Sequence, residues 1–285
     1  MPPYKIFSCD LDGTLLGPGS SLSQENDDAI RDLTRQGVTF VINTGRAYTE
    51  IPDTLKDHPA IPYVICSNGA VIYGKKSDTR TAFCMNRSLF LCVLDILLDY
   101  DVSLNFRTGD FCYVDRERHN DADYAAHGAD ADWRRFFYQS SVPKSHFLDF
   151  CRTSHEAEMI CAFFADGRER TEASHRLAKL AGIKTASTAP SNIEIFSDKA
   201  GKGTALLHLA AQLGVDPADT VAVGDTTNDT DMIVKAGLGL AMENAYPELK
   251  ALADAVVCRN TEHVVPYVAK HYFFGQNVAF HSILA

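Results

Sequence analysis

Three short segments rich in Val, Ile and Phe, Tyr4–Cys9, Val38–Asn43 and Tyr63–Cys66, are separated by the polar, helix-length stretches Ser23–Gln36 and Ala47–Leu55. Strand, helix and strand at this spacing build right-handed crossovers in a parallel sheet. The rhythm returns late in the chain. A helix from about Lys202 to Leu213 is followed by a strand Thr220–Val223, a helix near Thr227–Ala236, a strand Leu238–Met242, and the segments Pro247–Leu252 and Ala255–Cys258. Both ends of the chain therefore belong to one α/β sheet.

The middle differs. Candidate strands Ser103–Phe106 and Phe111–Val114 flank the turn signal Thr108-Gly109-Asp110, which indicates an antiparallel hairpin. An apolar run Glu158–Phe164, a helix-like Arg168–Leu180 ended by Gly182, and short strands near Ile183–Ala186 and Ile193–Phe196 follow. The expected fold is α/β: a Rossmann-like parallel-sheet core formed by residues 1–80 and 190–285, interrupted by an α+β cap over residues 81–189. The 285 residues suffice for both units.

Composition narrows the function. Asp and Glu number 37 against 27 Lys and Arg, a net charge of −10, which disfavours general binding to nucleic acid backbones. An acidic protein that handles an anion must concentrate positive charge locally. No apolar run is long enough to span a bilayer, and the first residues lack a secretion-type pattern, so the expected partners exclude membranes and the expected address is the cytoplasm. The eight cysteines contain no C-x-x-C pair and sit mostly among apolar residues, as reduced, buried hydrophobes do.

Four segments can carry chemistry. Asp10-Leu11-Asp12-Gly13-Thr14 follows the first strand directly, at the end where open α/β sheets bind ligands. Two acids one residue apart can divide nucleophilic or metal-binding work from proton transfer, although Asp and Gly are also ordinary turn residues. Asn43-Thr44-Gly45-Arg46 combines a hydroxyl, a glycine and a helix start, which suits a phosphate, with Arg46 adding a charged contact; the plain alternative is Thr44 as an N-cap. Lys202 lies between Gly201 and Gly203 at a helix start, but Phe196 and Gly203 occupy positions that a nucleotide-binding P-loop needs for Gly and Ser/Thr, so that motif is rejected. Gly224-Asp225-Thr226-Thr227-Asn228-Asp229-Thr230-Asp231 follows another strand. Counted from Asp225, its sixth and twelfth positions do not fit an EF-hand, whereas Mg²⁺ suits one or two carboxylates completed by water and phosphate oxygens. Asp231 reads as a helix-surface residue.

The order of these segments, with Ser67-Asn68-Gly69-Ala70 and Ala241-Met242-Glu243-Asn244-Ala245, resembles the haloacid dehalogenase-like superfamily, and its Cof-type phosphatases in particular. The resemblance covers nearly the whole chain. It implies Asp10 as the nucleophile that forms an aspartyl-phosphate and Asp12 as the acid/base. It implies Thr44, Gly45, Lys202 and Asn228 at the phosphate, joining the Arg46 read above, and Asp10, Asp12 through its carbonyl, Asp225 and Asp229 at Mg²⁺. Cys9 stands where relatives often carry an apolar residue such as Phe, and Glu243 where Gly is common.

The leading expectation is an Mg²⁺-dependent phosphatase of a small phosphorylated metabolite, with a sugar phosphate first in line. A phosphomutase using the same intermediate would move phosphate without releasing it, and a non-catalytic binding protein would not hydrolyse an aryl phosphate. Asn105, Arg107, Trp133 and Arg134 are weaker candidates for substrate contacts in the cap. The tail His271–Ala285, too short to span a membrane, is expected to pack on the core. Oligomeric state has no signal in the sequence.

Overall fold

The structure is a computed structural model that describes residues 3–274. The strands of the first part are β1 (Ile6–Cys9), β2 (Thr39–Asn43), β3 (Tyr63–Cys66), β4 (Val71–Gly74), β5 (Thr79–Ala82), β6 (Met85–Asn86), β7 (Val102–Thr108) and β8 (Phe111–Asp115). They are followed by β9 (Val142–Lys144), β10 (Glu156–Ala157), β11 (Met159–Phe164), β12 (Ile183–Ala186), β13 (Asn192–Ser197), β14 (Thr220–Gly224), β15 (Leu238–Ala241) and β16 (Ala255–Val256).

The core sheet runs β16-β15-β14-β1-β2-β3-β4-β5. Its first six strands are parallel, and β1 and β14 are wholly buried, as apolar strands covered on both faces should be. Strand order reverses between β1 and β14: the chain goes one way to β2 and β3 and the other way to β15 and β16. That switch point is where a doubly wound sheet opens a crevice at its carboxyl edge. The antiparallel additions β4 and β5 extend the edge beyond β3 and were not foreseen.

The helix Gln24–Arg35 forms as expected, with the Ser23 hydroxyl accepting from the Asn26 N–H (3.2 Å) and Ala29, Ile30 and Leu33 turned inward. The expected helix Ala47–Leu55 does not. Pro52 disfavours a helical residue before it, and the stretch divides into a 3₁₀ turn at Tyr48–Glu50 and a short helix Asp53–Lys56. The expected helix near Thr227 likewise starts as a 3₁₀ turn and becomes α-helical only over Thr230–Lys235.

The second sheet runs β12-β13-β11-β7-β8-β9 and is antiparallel apart from β8 with β9. Strand β5 reaches Ala82 inside the core sheet, and β13 reaches Ser197 inside the second one. The changes of sheet therefore fall a few residues later than the expected limits after 80 and 189, because pairing and not local composition decides where a strand belongs. One face of the second sheet packs Leu104, Phe106, Ile160 and Ile195 against the helices Arg87–Leu97 and Gly167–Leu177. The opposite face closes over the core. There Arg107 meets Glu50 (Nε to Oε2, 3.0 Å), Asn68 donates to Glu194 (2.7 Å), and the Ser67 hydroxyl donates to Glu158 (3.0 Å), all of them buried.

All eight cysteines are unpaired and six are buried, consistent with their apolar surroundings. No helix among the described residues is long and apolar enough to cross a membrane. Of the tail, Phe273 is buried and stacks on Phe7 with ring centroids 5.6 Å apart; residues 275–285 of that expectation lie outside the described part.

Candidate active site

Asp10 leaves the end of β1 with its N–H on the Val223 carbonyl of β14 (3.0 Å), so the first acid is pinned beside the strand that delivers Asp225. Although Asp10 and Asp225 are separated by most of the chain, the switch point brings them together. Gly13 makes this approach feasible. Its φ is +77°, and a Cβ there would lie 2.3 Å from Asp225 Oδ2, so both the turn and the available space demand glycine. One carboxylate oxygen from each of Asp10, Asp225 and Asp229 lies within 4.8 Å of the others.

Lys202 enters this cluster from the first turn of the helix Lys202–Gln212, with its side chain fully buried. Its Nζ lies 2.5 Å from Asp10 Oδ1 and 2.6 Å from Asp229 Oδ1. Backbone contact sets its position. A Cβ on Gly203 would meet the Asp231 carbonyl oxygen at 2.2 Å, and one on Gly69 would meet the Gly201 carbonyl oxygen at 2.2 Å. Three backbones therefore touch around the lysine with no side chain between them.

Thr44 and Gly45 follow β2. Thr44 is buried, its hydroxyl accepting from the Arg46 N–H (3.1 Å), and Gly45 sits where a Cβ would press on the Asn68 amide at 3.0 Å. Asn228 donates to Asn68 Oδ1 (3.1 Å) and accepts from the Thr226 hydroxyl (2.6 Å), placing it at the same rim.

Burial pushes the Asp10 carboxyl up to about 7, against the opposing pull of Lys202, with Asp229 and Asp12 adding to the rise. Asp225 is pushed up to about 9 by burial and by Asp10 and Asp229. Burial alone would lower Lys202, but Asp10 and Asp229 outweigh it and hold the ammonium charged well above its ordinary range. Three acids thus face one lysine. A hard divalent cation suits this set, since clustered carboxylate oxygens are what Mg²⁺ takes from a protein and its charge would offset the excess.

Two residues depart from expectation. Arg46 lines the cavity above the acids, as a substrate contact would, but its guanidinium is already engaged. Its Nε and Nη2 grip Asp12 (2.8 and 2.6 Å) and its Nη1 donates to the Glu50 carbonyl (2.9 Å), while Phe136 of the second unit stacks on its guanidinium at 4.5 Å. Its fork is occupied in orienting a carboxylate. Asp231 is not a free helix-surface group: its oxygens accept from the N–H groups of Gly203 (2.8 Å) and Thr204 (3.2 Å), capping the helix that carries Lys202. Asp229 is also fully engaged, its second oxygen accepting from the N–H groups of Asp225 (2.9 Å) and Thr226 (3.1 Å).

Above the acids lies a cavity of about 310 Å³. Asp10, Thr44, Gly45 and Asp225 are among its floor residues, and Asn105, Trp133, Phe136 and Phe163 are among those of its roof. Of the four cap candidates, Asn105, Arg107 and Trp133 line this cavity. Arg134 does not; it pairs with Asp121 at 2.8 Å. Glu50, Glu158 and Glu194, the acids of the interface, carry no local signal that sequence reading could use, and the segment Ser67–Ala70 shows Asn68 without showing its partner.

The sequence model of the haloacid dehalogenase-like hydrolase family matches residues 7–268. Phosphatase YwpJ of Bacillus subtilis is 30% identical over 94% of this chain and 99% of its own length. An HMP-PP phosphatase of Cronobacter sakazakii is 30% identical over 87% of each. A solved haloacid dehalogenase-like hydrolase from B. subtilis superposes with a TM-score of 0.80 at 29% identity, covering 94% of this chain and 99% of that one. A solved subclass IIB sugar phosphatase, at 19% identity and covering 93% and 97%, shares the fold with a TM-score of 0.79. A family match along nearly the whole chain, on a fold whose switch point gathers the family's motifs, makes this chain a haloacid dehalogenase-like hydrolase of the Cof-type phosphatase kind.

Proposed function

We propose that the chain hydrolyses a small phosphate monoester in two steps through Asp10, with Mg²⁺ as cofactor, in the cytoplasm. The observation that carries this reading is the convergence of Asp10, Lys202 and Asp225 beneath a cavity roofed by the second sheet. An Asp10 oxygen attacks phosphorus, the ester oxygen departs with a proton from Asp12, and phosphate is left on the aspartyl group. Water then attacks phosphorus, Asp12 takes its proton, and Asp10 is released as carboxylate along with inorganic phosphate. Lys202, the Thr44 hydroxyl and the Gly45 N–H hold the phosphoryl oxygens, and Asn228 supports them from the rim. Arg46 keeps the Asp12 carboxylate in one orientation for both proton transfers.

Asp10, Asp225 and the Asp12 carbonyl, supported by Asp229, would hold Mg²⁺, which when bound would supply charge neutralisation at the transferring group. The excess of acids over bases in the cluster supports that assignment. The unit carrying the second sheet acts as the cap that selects the rest of the substrate. Mg²⁺-supported release of phosphate from an aryl phosphate tests the reaction. Asp10→Asn is expected to abolish it while retaining the fold, and a folded Asp10→Asn enzyme with full turnover would refute the nucleophile.

A further inference from the structure

The Asp12 carboxylate depends on one partner. It is 43% exposed, and among the described residues only Arg46 hydrogen-bonds to it, through a side chain that is itself 8% exposed. An arginine fork occupies one lone pair on each carboxylate oxygen, so a second stays open for a proton while the fork fixes which way the group faces. What shelters the guanidinium is a ring from the other unit. Phe136, in the helix Ala131–Ser140, lies with its face toward the guanidinium carbon and its centroid 4.5 Å away.

That ring is set apart from the packing of its own unit. Phe137, next in sequence, is the side chain buried in the small cluster with Tyr124 and Phe163, while Phe136 packs at the margin of that cluster and is half-buried. Phe136 and Arg46 together line the cavity above the acids and also two outer clefts, of about 220 and about 570 Å³. Their stack is a wall shared by all three spaces. It keeps the water of the clefts from one face of the guanidinium, and a cation so covered is held more firmly, both to the ring and to its carboxylate, than one in water. A leucine would cover a similar area but offers the cation no negative face.

Resting on the phosphatase reading above, we infer that Phe136 is a positioning residue for the first phosphoryl transfer: it holds Arg46 and, through Arg46, aims the Asp12 that protonates the departing ester oxygen. The effect is confined to leaving groups that need that proton. p-Nitrophenoxide departs as an anion, whereas benzyloxide, far more basic, must be protonated as it leaves.

The test measures kcat/KM with Mg²⁺ for benzyl phosphate and p-nitrophenyl phosphate, two esters of one ring each, so that a change in cavity shape falls on both. Because kcat/KM ends at the first irreversible step, hydrolysis of the shared aspartyl-phosphate does not enter it. In Phe136→Leu the benzyl-to-nitrophenyl ratio is expected to fall about tenfold, and in Phe136→Tyr, which keeps an aromatic face, to stay within about twofold of wild type. Arg46→Gln is expected to lower the ratio at least as far, and adding Phe136→Leu to it to lower the ratio no further, since contacts in one chain do not act additively. Where the leucine variant does not fold, Phe136→Met carries the comparison. An equal loss for both esters, an unmoved ratio, or a further fall in the double variant overturns the inference and leaves the phosphatase reading standing. Hydrolysis of neither ester by folded wild-type enzyme overturns both.

Discussion

Replacing Lys202 with Met tests the electrostatics of the site. The side chain is fully buried and its Nζ contacts two carboxylates at 2.5 and 2.6 Å, so Lys202→Met removes the ammonium that both face and leaves Asp10 and Asp229 in place. Breaking a buried pair in this way costs about 3–5 kcal/mol, chiefly because the remaining charge is left uncompensated. An unfolding entropy of roughly 2 cal/mol/K per residue gives about 0.6 kcal/mol/K for a chain of 285 residues, so the melting temperature should drop by about 5–8 °C. Differential scanning calorimetry in EDTA, at about pH 8 and about pH 5, provides the measurement.

The sign of the pH effect follows from Asp10. Its folded pKa of about 7 lies above the ordinary 3.8, so between those values the folded state holds a proton that the unfolded chain has released, and stability falls as pH rises through that window. Loss of the lysine removes the pull that lowers Asp10 and carries the fall to higher pH. At about pH 5 the carboxyl is protonated in both folded proteins, and the deficit of the variant should shrink. A shift under about 2 °C, or a deficit equal at the two pH values, would refute the reasoning.

Arg46→Gln should free the Asp12 carboxylate and lower kcat by about 10–100-fold with KM nearly constant; unchanged kcat in steady-state kinetics would show that the fork does not orient the acid. Asp225→Asn should weaken Mg²⁺ at least about tenfold in a cation titration of activity, and chelation should abolish turnover until the metal is restored. Asp231→Ala should cost about 1 kcal/mol through the lost cap, a melting shift of about 2 °C, with a larger effect on kcat than a remote surface substitution produces. Gly203→Ala should cost about 1–3 kcal/mol, because its Cβ would meet the backbone of Asp231, and should lower kcat by displacing the neighbouring lysine; a melting curve matching wild type would refute the close approach.

What was legible in the sequence was what strand ends determine. Asp10, Thr44 and Asp225 directly follow strands, Lys202 opens a helix, and a parallel sheet brings strand carboxyl ends to one edge, so local reading located the acids, the threonine and the lysine. The hairpin strand Ser103–Phe106 was also located, whereas its extension to Val102–Thr108, with Leu104 and Phe106 turned to one face and Asn105 and Arg107 to the other, comes from the structure. Partnerships across the interface were not legible. Arg107 and Glu50 lie 57 positions apart, Asn68 and Glu194 126 apart, and nothing near either residue indicates the other. The same limit explains Arg46, whose sequence context suggested an anion but whose partner is an acid 34 positions earlier. Asp231 was misplaced because helix periodicity shows which face a residue occupies, but not that another helix begins there.

The backbone contacts around Gly69, Gly201 and Gly203 have a consequence for timing. A lysine in solution samples many rotamers, and ordering one on contact with a phosphate would oppose binding by up to about 2 kcal/mol. Here the chain around Lys202 is fitted backbone to backbone and its ammonium is already held by two acids, so that disorder is removed when the protein folds, well before any ester arrives. On the proposed reading, substrate would meet a charge already aimed, and its binding energy would be left for the transferring group.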